Sequence, residues 1–306
     1  MFRLVVADVD SPSYFVATAA AELGFFKREG ITVKFEPVYG ARNGPEGLRD
    51  GTVHFFGGPA YAVTGALPGA KLLCALSQYS YWFMAVRANL DVKRGDVDAI
   101  KGLRISSSTS WPDLALRHLL AESGIDLVRD NVRIVPRPSK DDGERWRGRD
   151  GVDAIEQGVA DAYWGNGMRV AVGERLGIAK LHLDLRRGDG PPGARWYNFA
   201  ALTTTERLIN EHPQIAAGAV RAIVRTQEAL KADPSLATQV GNRLFPPDEA
   251  SLIAALIKQD VPFYEANISP EAVDGLNKFA KASGLLPAPV PYSRLVASQF
   301  RHLWNP

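Results

Sequence analysis

The chain has 306 residues, 46% of them hydrophobic and 23% charged. That length suits two cores of roughly 100–200 residues each, and the balance excludes disordered, collagen-like and membrane-embedded classes. With 36 basic against 34 acidic residues and a formal net charge of +2, nothing draws the chain to nucleic acid or an anionic membrane, so the expected partner is a small molecule.

Residues 2–9 read as a strand, with no basic-then-apolar leader pattern before them. Residues 13–29 read as a helix in which Phe15, Ala19, Leu23 and Phe26 are spaced three or four apart and Gly30 ends the run. A second strand follows over 31–39. Strand, crossover helix and strand form a βαβ unit, which places ligand-bearing loops at the carboxyl ends of the strands, at 10–14 and 39–44. The alternation continues with a short helix at 45–50, a strand at 53–56, a glycine turn, a helix at 59–66 and a strand at 71–76. Cys74 is the only cysteine, which excludes an intramolecular disulfide and a multi-cysteine metal site, and in that last apolar run it reads as a buried small hydrophobe.

The pattern restarts with a strand at 103–106, a serine-rich turn, a helix at 112–123, a strand at 132–135, a helix at 152–157 and a strand at 160–164. The charge-rich stretch 137–150 reads as an exposed, solvated loop. After residue 203 the chain becomes helical, over 206–211, 213–231, 234–244, 247–259 and 270–283, several of these segments opening on proline or an acid. No apolar run approaches the ~18 residues that cross a bilayer.

Residues 21–33 (AELGFFKREGITV) and 47–54 (GLRDGTVH) resemble the opening of ABC-transporter solute-binding proteins of the nitrate, sulfonate, taurine and thiamine-pyrimidine-precursor family. His54 stands where that family usually has aspartate. The resemblance continues through 98–105 (DAIKGLRI), 154–162 (AIEQGVADA) and the proline-bounded helix within 211–234, covering nearly the whole chain. It implies an α/β, two-lobed periplasmic-binding-protein type 2 fold, each lobe a mainly parallel sheet flanked by helices, joined by two hinge strands. Lobe I would be 1–84 plus 199–306, lobe II 88–195, with hinges near 85–87 and 196–198. It also implies a ligand-binding cleft between the lobes. An ABC permease partner and a periplasmic location follow if a leader has been removed, and a cytoplasmic one if Met1 is the native start.

In that fold the cleft is lined by strand ends and helix N-termini. After the first strand these are Asp10, Ser11 and Tyr14; after the second, Tyr39, Gly40 and Arg42, the last able to hold a carboxylate or sulfonate by two parallel hydrogen bonds. Gly58 and Tyr61 flank a helix start whose N–H groups suit an anionic or carbonyl oxygen. Ser107, Ser108, Thr109 and Trp111 offer the same in the second lobe. Tyr79, Tyr81, Trp82 and Phe83, then Tyr163 and Trp164, then Trp196 and Tyr197 form three aromatic clusters, with Gln78, Asn166 and Asn198 supplying directional hydrogen bonds. Flat apolar faces with polar handles favour an aromatic or heterocyclic ligand over an inorganic anion. Asp10 would equally suit an amine, so either ligand charge is compatible with these residues.

An enzyme on the same fold is the alternative, a lyase or hydrolase acting on an aromatic acid in the manner of sulfinate desulfinases or the thiamine-pyrimidine synthase. The desulfinase pattern has a cysteine in the loop where this chain has Ser11 and Ser13, and the synthase pattern has a cysteine cluster and a histidine where this chain reads Gly57, Gly58 and Pro59. Ser11, His54 and Asp10 form a catalytic set only by analogy of fold. No cofactor is expected, and no metal, since the five histidines are scattered singly.

Overall fold

The computed structural model describes residues 1–37, 43–64, 67–108, 111–138 and 149–305. In chain order it forms β1 (Phe2–Val6), α1 (Phe15–Glu22), α2 (Phe25–Arg28), β2 (Val33–Pro37), α3 (Asn43–Asp50), β3 (Phe55–Pro59), α4 (Tyr61–Thr64) and β4 (Ala70–Ser77). Then come β5 (Phe83–Arg87), β6 (Arg104–Ser107), α5 (Trp111–Glu122), β7 (Arg133–Pro136), α6 (Asp150–Glu156), β8 (Ala162–Gly165), α7 (Gly167–Arg175) and β9 (Ala179–Asp184). The chain ends with β10 (Ala200–Thr205), α8 (Glu206–Glu211), α9 (Pro213–Ala232), α10 (Leu236–Leu244), α11 (Pro247–Asp260), α12 (Pro270–Ala282) and α13 (Tyr292–Leu295).

These elements make two compact units, Met1–Tyr79 with Asn198–Pro306, and Ser80–Tyr197. The first contains a sheet ordered β2-β1-β3-β10-β4, the second a sheet ordered β7-β6-β8-β5-β9. In the first, β1 pairs in parallel with β2 and β3, while β10 runs antiparallel to both β3 and β4. In the second, β6 pairs in parallel with β7 and β8, while β5 runs antiparallel to both β8 and β9. Each sheet thus has four strands in one direction and one reversed, and each reversed strand is the first strand after the chain passes from one unit to the other. Residues 85–87 lie within β5.

The helix expected over 13–29 is two helices. Gly24 adopts φ 76° between α1 and α2, a conformation that side-chain-bearing residues resist, and the break lets Phe25 and Phe26 both turn inward. The third strand extends further than expected, because Gly57 and Gly58 lie inside β3 and not in a turn after it. A Cβ at Gly57 would lie 2.9 Å from that of Ala17, so glycine is what lets α1 pack closely over this strand. Both α7 and β9 were unforeseen from the pattern of residues.

The core of the first unit is organised by α9. Ala216, Ala219, Val220, Ile223, Gln227 and Leu230 recur at three- and four-residue spacing and are all buried, forming one continuous stripe in a helix packed on α1, α2 and β4. Full burial of a side chain such as Ile223 stabilises by about 1.5–3 kcal/mol. Gln227 carries the polar exception: its Nε2 donates to the carbonyls of Ala75 and Leu76 at 3.1 and 3.0 Å, tying the helix to the end of β4.

Candidate functional site

In the first unit, the carboxyl ends of β1, β3 and β4 and the start of the reversed β10 all lie at one end of the sheet. That end gathers Asp10, Ser11 and Tyr14 after β1, Gly58 and Tyr61 around the end of β3, Gln78 after β4, and Asn198 before β10. All are buried. The end of α11 and the segment after it brace the loop after β1: the Tyr264 hydroxyl donates to Pro12 O at 2.7 Å, and Ser13 Oγ lies 3.5 Å from Asp260 Oδ2 as its donor. Tyr61 N donates to Asn198 Oδ1 at 3.3 Å, so Asn198 fixes the start of α4. Gln78 serves the scaffold with its amide group, Nε2 donating to the carbonyls of Glu265 and Asn267 at 2.8 and 2.7 Å. Tyr39, Gly40 and Arg42 lie outside the described residues, as does Thr109 of the second unit.

The second unit repeats the arrangement. Ser107 ends β6, Trp164 and Asn166 lie at the end of β8, and Tyr81 and Trp82 precede the reversed β5. The rings of Tyr81 and Trp82 are 5.8 Å apart and those of Trp82 and Trp164 6.3 Å, so two of the expected aromatic clusters are one continuous buried group. Asn166 caps α7, its Oδ1 accepting from Arg169 N at 3.2 Å. Ser108 and Trp111 are half-buried. Trp196 is half-buried too, with the Arg195 guanidinium over its ring.

At the two ends of the charge-rich stretch 137–150, expected to be solvated, Asp150 is buried and Arg137 half-buried, and the two are paired. Asp150 Oδ1 accepts from Arg169 Nε at 2.6 Å, and Oδ2 from Arg137 Nη1 at 2.8 Å. Arg137 Nη2 also donates to Trp164 O at 3.1 Å, which pins the end of β8. Burial alone would push the Asp150 carboxyl up, but the charges of Arg169 and Arg137 overcome it and hold the group below the ordinary carboxylate range. Sequence reasoning missed this cluster, and also the ties of Tyr197, whose hydroxyl donates to Glu122 while its ring meets the His118 ring edge-on at 4.8 Å. Burial and then Glu122 push the Tyr197 phenol up, so it is a neutral donor here.

The structure separates the analogical catalytic set. His54 immediately precedes β3, at the opposite end of the sheet from Ser11 and Asp10; its Nδ1 accepts from Arg3 N at 3.1 Å and its ring meets Phe2 edge-on. The five residues of β3 span about 16 Å. Burial lowers the His54 pKa, so it is a neutral strand-end residue. Cys74 is fully buried, and burial pushes its thiol far up, which makes it unreactive. Among the described residues, no group of three or more histidines, cysteines or carboxylates could hold a metal ion.

The model of the NMT1/THI5-like family matches residues 11–237, about three quarters of the sequence. The chain belongs to the NMT1/THI5-like family. No curated protein matches it. Among solved structures, it is similar to a periplasmic sulfonate-binding protein from Methylobacillus flagellatus, with 17% identity, 98% of this chain and 92% of that one covered, and a TM-score of 0.70. It is similar also to the periplasmic aliphatic sulphonate-binding protein of Escherichia coli, with 12% identity, 96% and 91% covered, and a TM-score of 0.70. A third is the desulfurization enzyme DszB, with 16% identity, 100% and 99% covered, and a TM-score of 0.65. These likenesses establish the two-lobed type 2 periplasmic-binding-protein fold for this NMT1/THI5-like chain, with no helix among the described residues long and apolar enough to cross a membrane.

Proposed function

We propose that this protein is a solute-binding protein that takes a small aromatic or heterocyclic molecule with the strand-end loops of its two units, and delivers it to an ABC-type permease. The observation that carries the reading is the chemistry of those strand ends. Tyr14, Tyr61, Tyr81, Trp82 and Trp164 are buried there and Trp196 half-buried, beside Asp10, Ser11, Ser107, Asn166 and Asn198. Rings present area at low conformational cost and the polar groups fix orientation, whereas an inorganic anion would call for few rings. The likeness to the two sulfonate-binding proteins supports the transport role, and with it a location outside the cytoplasmic membrane for an exported form. Asp10 and the loop after β1 would set which end of the ligand the first unit takes.

A second reading is an enzyme acting on an aromatic acid, which the full-length likeness to DszB favours, since a mutant of that enzyme has been solved with biphenyl-2-sulfinic acid. Against it, Ser11 stands in the loop where the desulfinase pattern has cysteine, and His54 lies at the far end of the sheet. Calorimetry of the purified protein with benzoate, benzenesulfonate, biphenyl-2-sulfinate, ethanesulfonate and nitrate, with each mixture followed by mass spectrometry, separates the readings. The binder reading expects one-to-one binding of an aromatic compound that is recovered unchanged. Turnover would defeat it, and binding confined to ethanesulfonate or nitrate would defeat the aromatic ligand.

A further inference from the structure

Several buried polar side-chain groups of the second unit, Ser106 Oγ among them, lack a hydrogen-bond partner among the described residues, and two of these are donors on neighbouring strand ends. Trp164 Nε1 and Ser107 Oγ are both fully shielded and have no hydrogen-bond partner among the described residues. A buried indole N–H ordinarily finds an acceptor, and leaving a buried polar group unsatisfied costs about as much as a hydrogen bond contributes, so each such group calls for an explanation. The sheet register brings the two together. β6 and β8 are parallel neighbours with Ser106 opposite Tyr163, so Ser107 and Trp164 occupy the next row, at the carboxyl ends of both strands. Alternation along a strand puts them on the same face as each other and opposite to Ser106 and Tyr163.

That assignment of faces is supported from both sides. The Tyr163 hydroxyl donates to Arg169 O in α7 at 2.8 Å, whereas Trp164 packs on the Trp82 ring. We infer that Trp164 Nε1–H and Ser107 Oγ–H form a two-donor subsite that binds an oxygen acceptor of the ligand, as carried by a carboxylate, sulfinate, sulfonate or carbonyl group. This rests on the solute-binding reading. It adds that the ligand's acceptor end lies against the second unit at β6 and β8, with its ring against Trp82 and Trp164. Both groups can donate to one oxygen or to two oxygens of one acidic group, and in a site shielded from water such bonds are strong.

The test uses the whole protein with its tryptophan indole nitrogens labelled with 15N, titrated with benzenesulfonate and with benzoate. The Trp164 indole resonance is assigned by its loss in Trp164→Phe or, should that variant not fold, by its proximity to the Trp82 ring in the wild type. The expected result is a saturable displacement of that resonance with the same Kd as calorimetry, and affinity weakened about tenfold or more by Ser107→Ala. Ser106→Ala, which removes a buried hydroxyl from the opposite face, leaves the affinity within about twofold, so that general loosening of β6 is distinguished from loss of the contact. Saturable binding with the Trp164 resonance unmoved and Ser107→Ala unaltered would overturn the subsite while leaving the binder reading intact. Failure of every aromatic probe to bind would remove the parent reading and this inference with it.

Discussion

At the scale of single residues, the protein buries several groups whose chemistry tolerates burial only when a partner is present. Asp150 is the clearest. Its carboxylate is taken out of water and held ionised by Arg169 and Arg137, so removing it strands two guanidinium groups against each other. Asp150→Ala is expected to destabilise by about 3–5 kcal/mol, read from urea unfolding. Because the folded-state pKa is depressed, the stability this group contributes is fully present above the ordinary aspartate value of about 3.9. It is lost as the pH falls through the lower native value, so the difference in stability between wild type and Asp150→Asn should shrink only at acid pH. Gly58 is the steric counterpart. A Cβ there would lie 2.2 Å from the buried Phe56 ring, and Gly58→Ala should cost about 1–3 kcal/mol by overpacking, seen as a lowered Tm.

At the scale of elements, the helices and strands are joined by a few polar ties that apolar periodicity does not reveal. Gln227 of α9 is one, and Gln227→Leu, close in volume and unable to donate, should leave the Ala75 and Leu76 carbonyls short of that donor. The expected loss is about 1–3 kcal/mol in chemical denaturation, whereas Thr238→Ala on the neighbouring α10, outside this tie, should shift stability by less than about 0.5 kcal/mol. Much of the architecture was legible from residues alone, because alternation of short apolar strands with three- and four-spaced helices identifies a βα fold. The helices from 206 onward were readable because prolines punctuate them. The break at Gly24 was not, since Leu23 and Phe26 continue the helical spacing across it. β9 and α7 were missed because a six-residue strand and a glycine-flanked nine-residue helix carry weak patterns. The burial of Asp150 was invisible because one of the partners that makes it tolerable, Arg169, stands 19 positions away on another helix.

At the scale of the whole molecule, the two sheets share one plan, with strand ends and one reversed strand start converging at one end of each. That plan explains why candidate residues scattered from Asp10 to Asn198 fall into two groups and not many. Of those in the described residues, Gln78, Asn166 and Asn198 proved to be tied into the scaffold, which sequence could not show because their partners are backbone groups. A ligand that binds only the folded protein raises its stability by RT ln(1 + [L]/Kd), about 2.7 kcal/mol at a hundredfold excess over Kd. An aromatic acid should therefore raise Tm by a few degrees while nitrate leaves it unchanged, checked by differential scanning calorimetry. The most direct test of the central claim is a crystal structure of the protein with the tightest-binding compound of the aromatic panel. The account predicts an intact ligand at the strand ends, its ring against Trp82 and Trp164 and its acceptor oxygen on Trp164 Nε1 and Ser107 Oγ. A ligand lodged elsewhere, or converted to product, would contradict it.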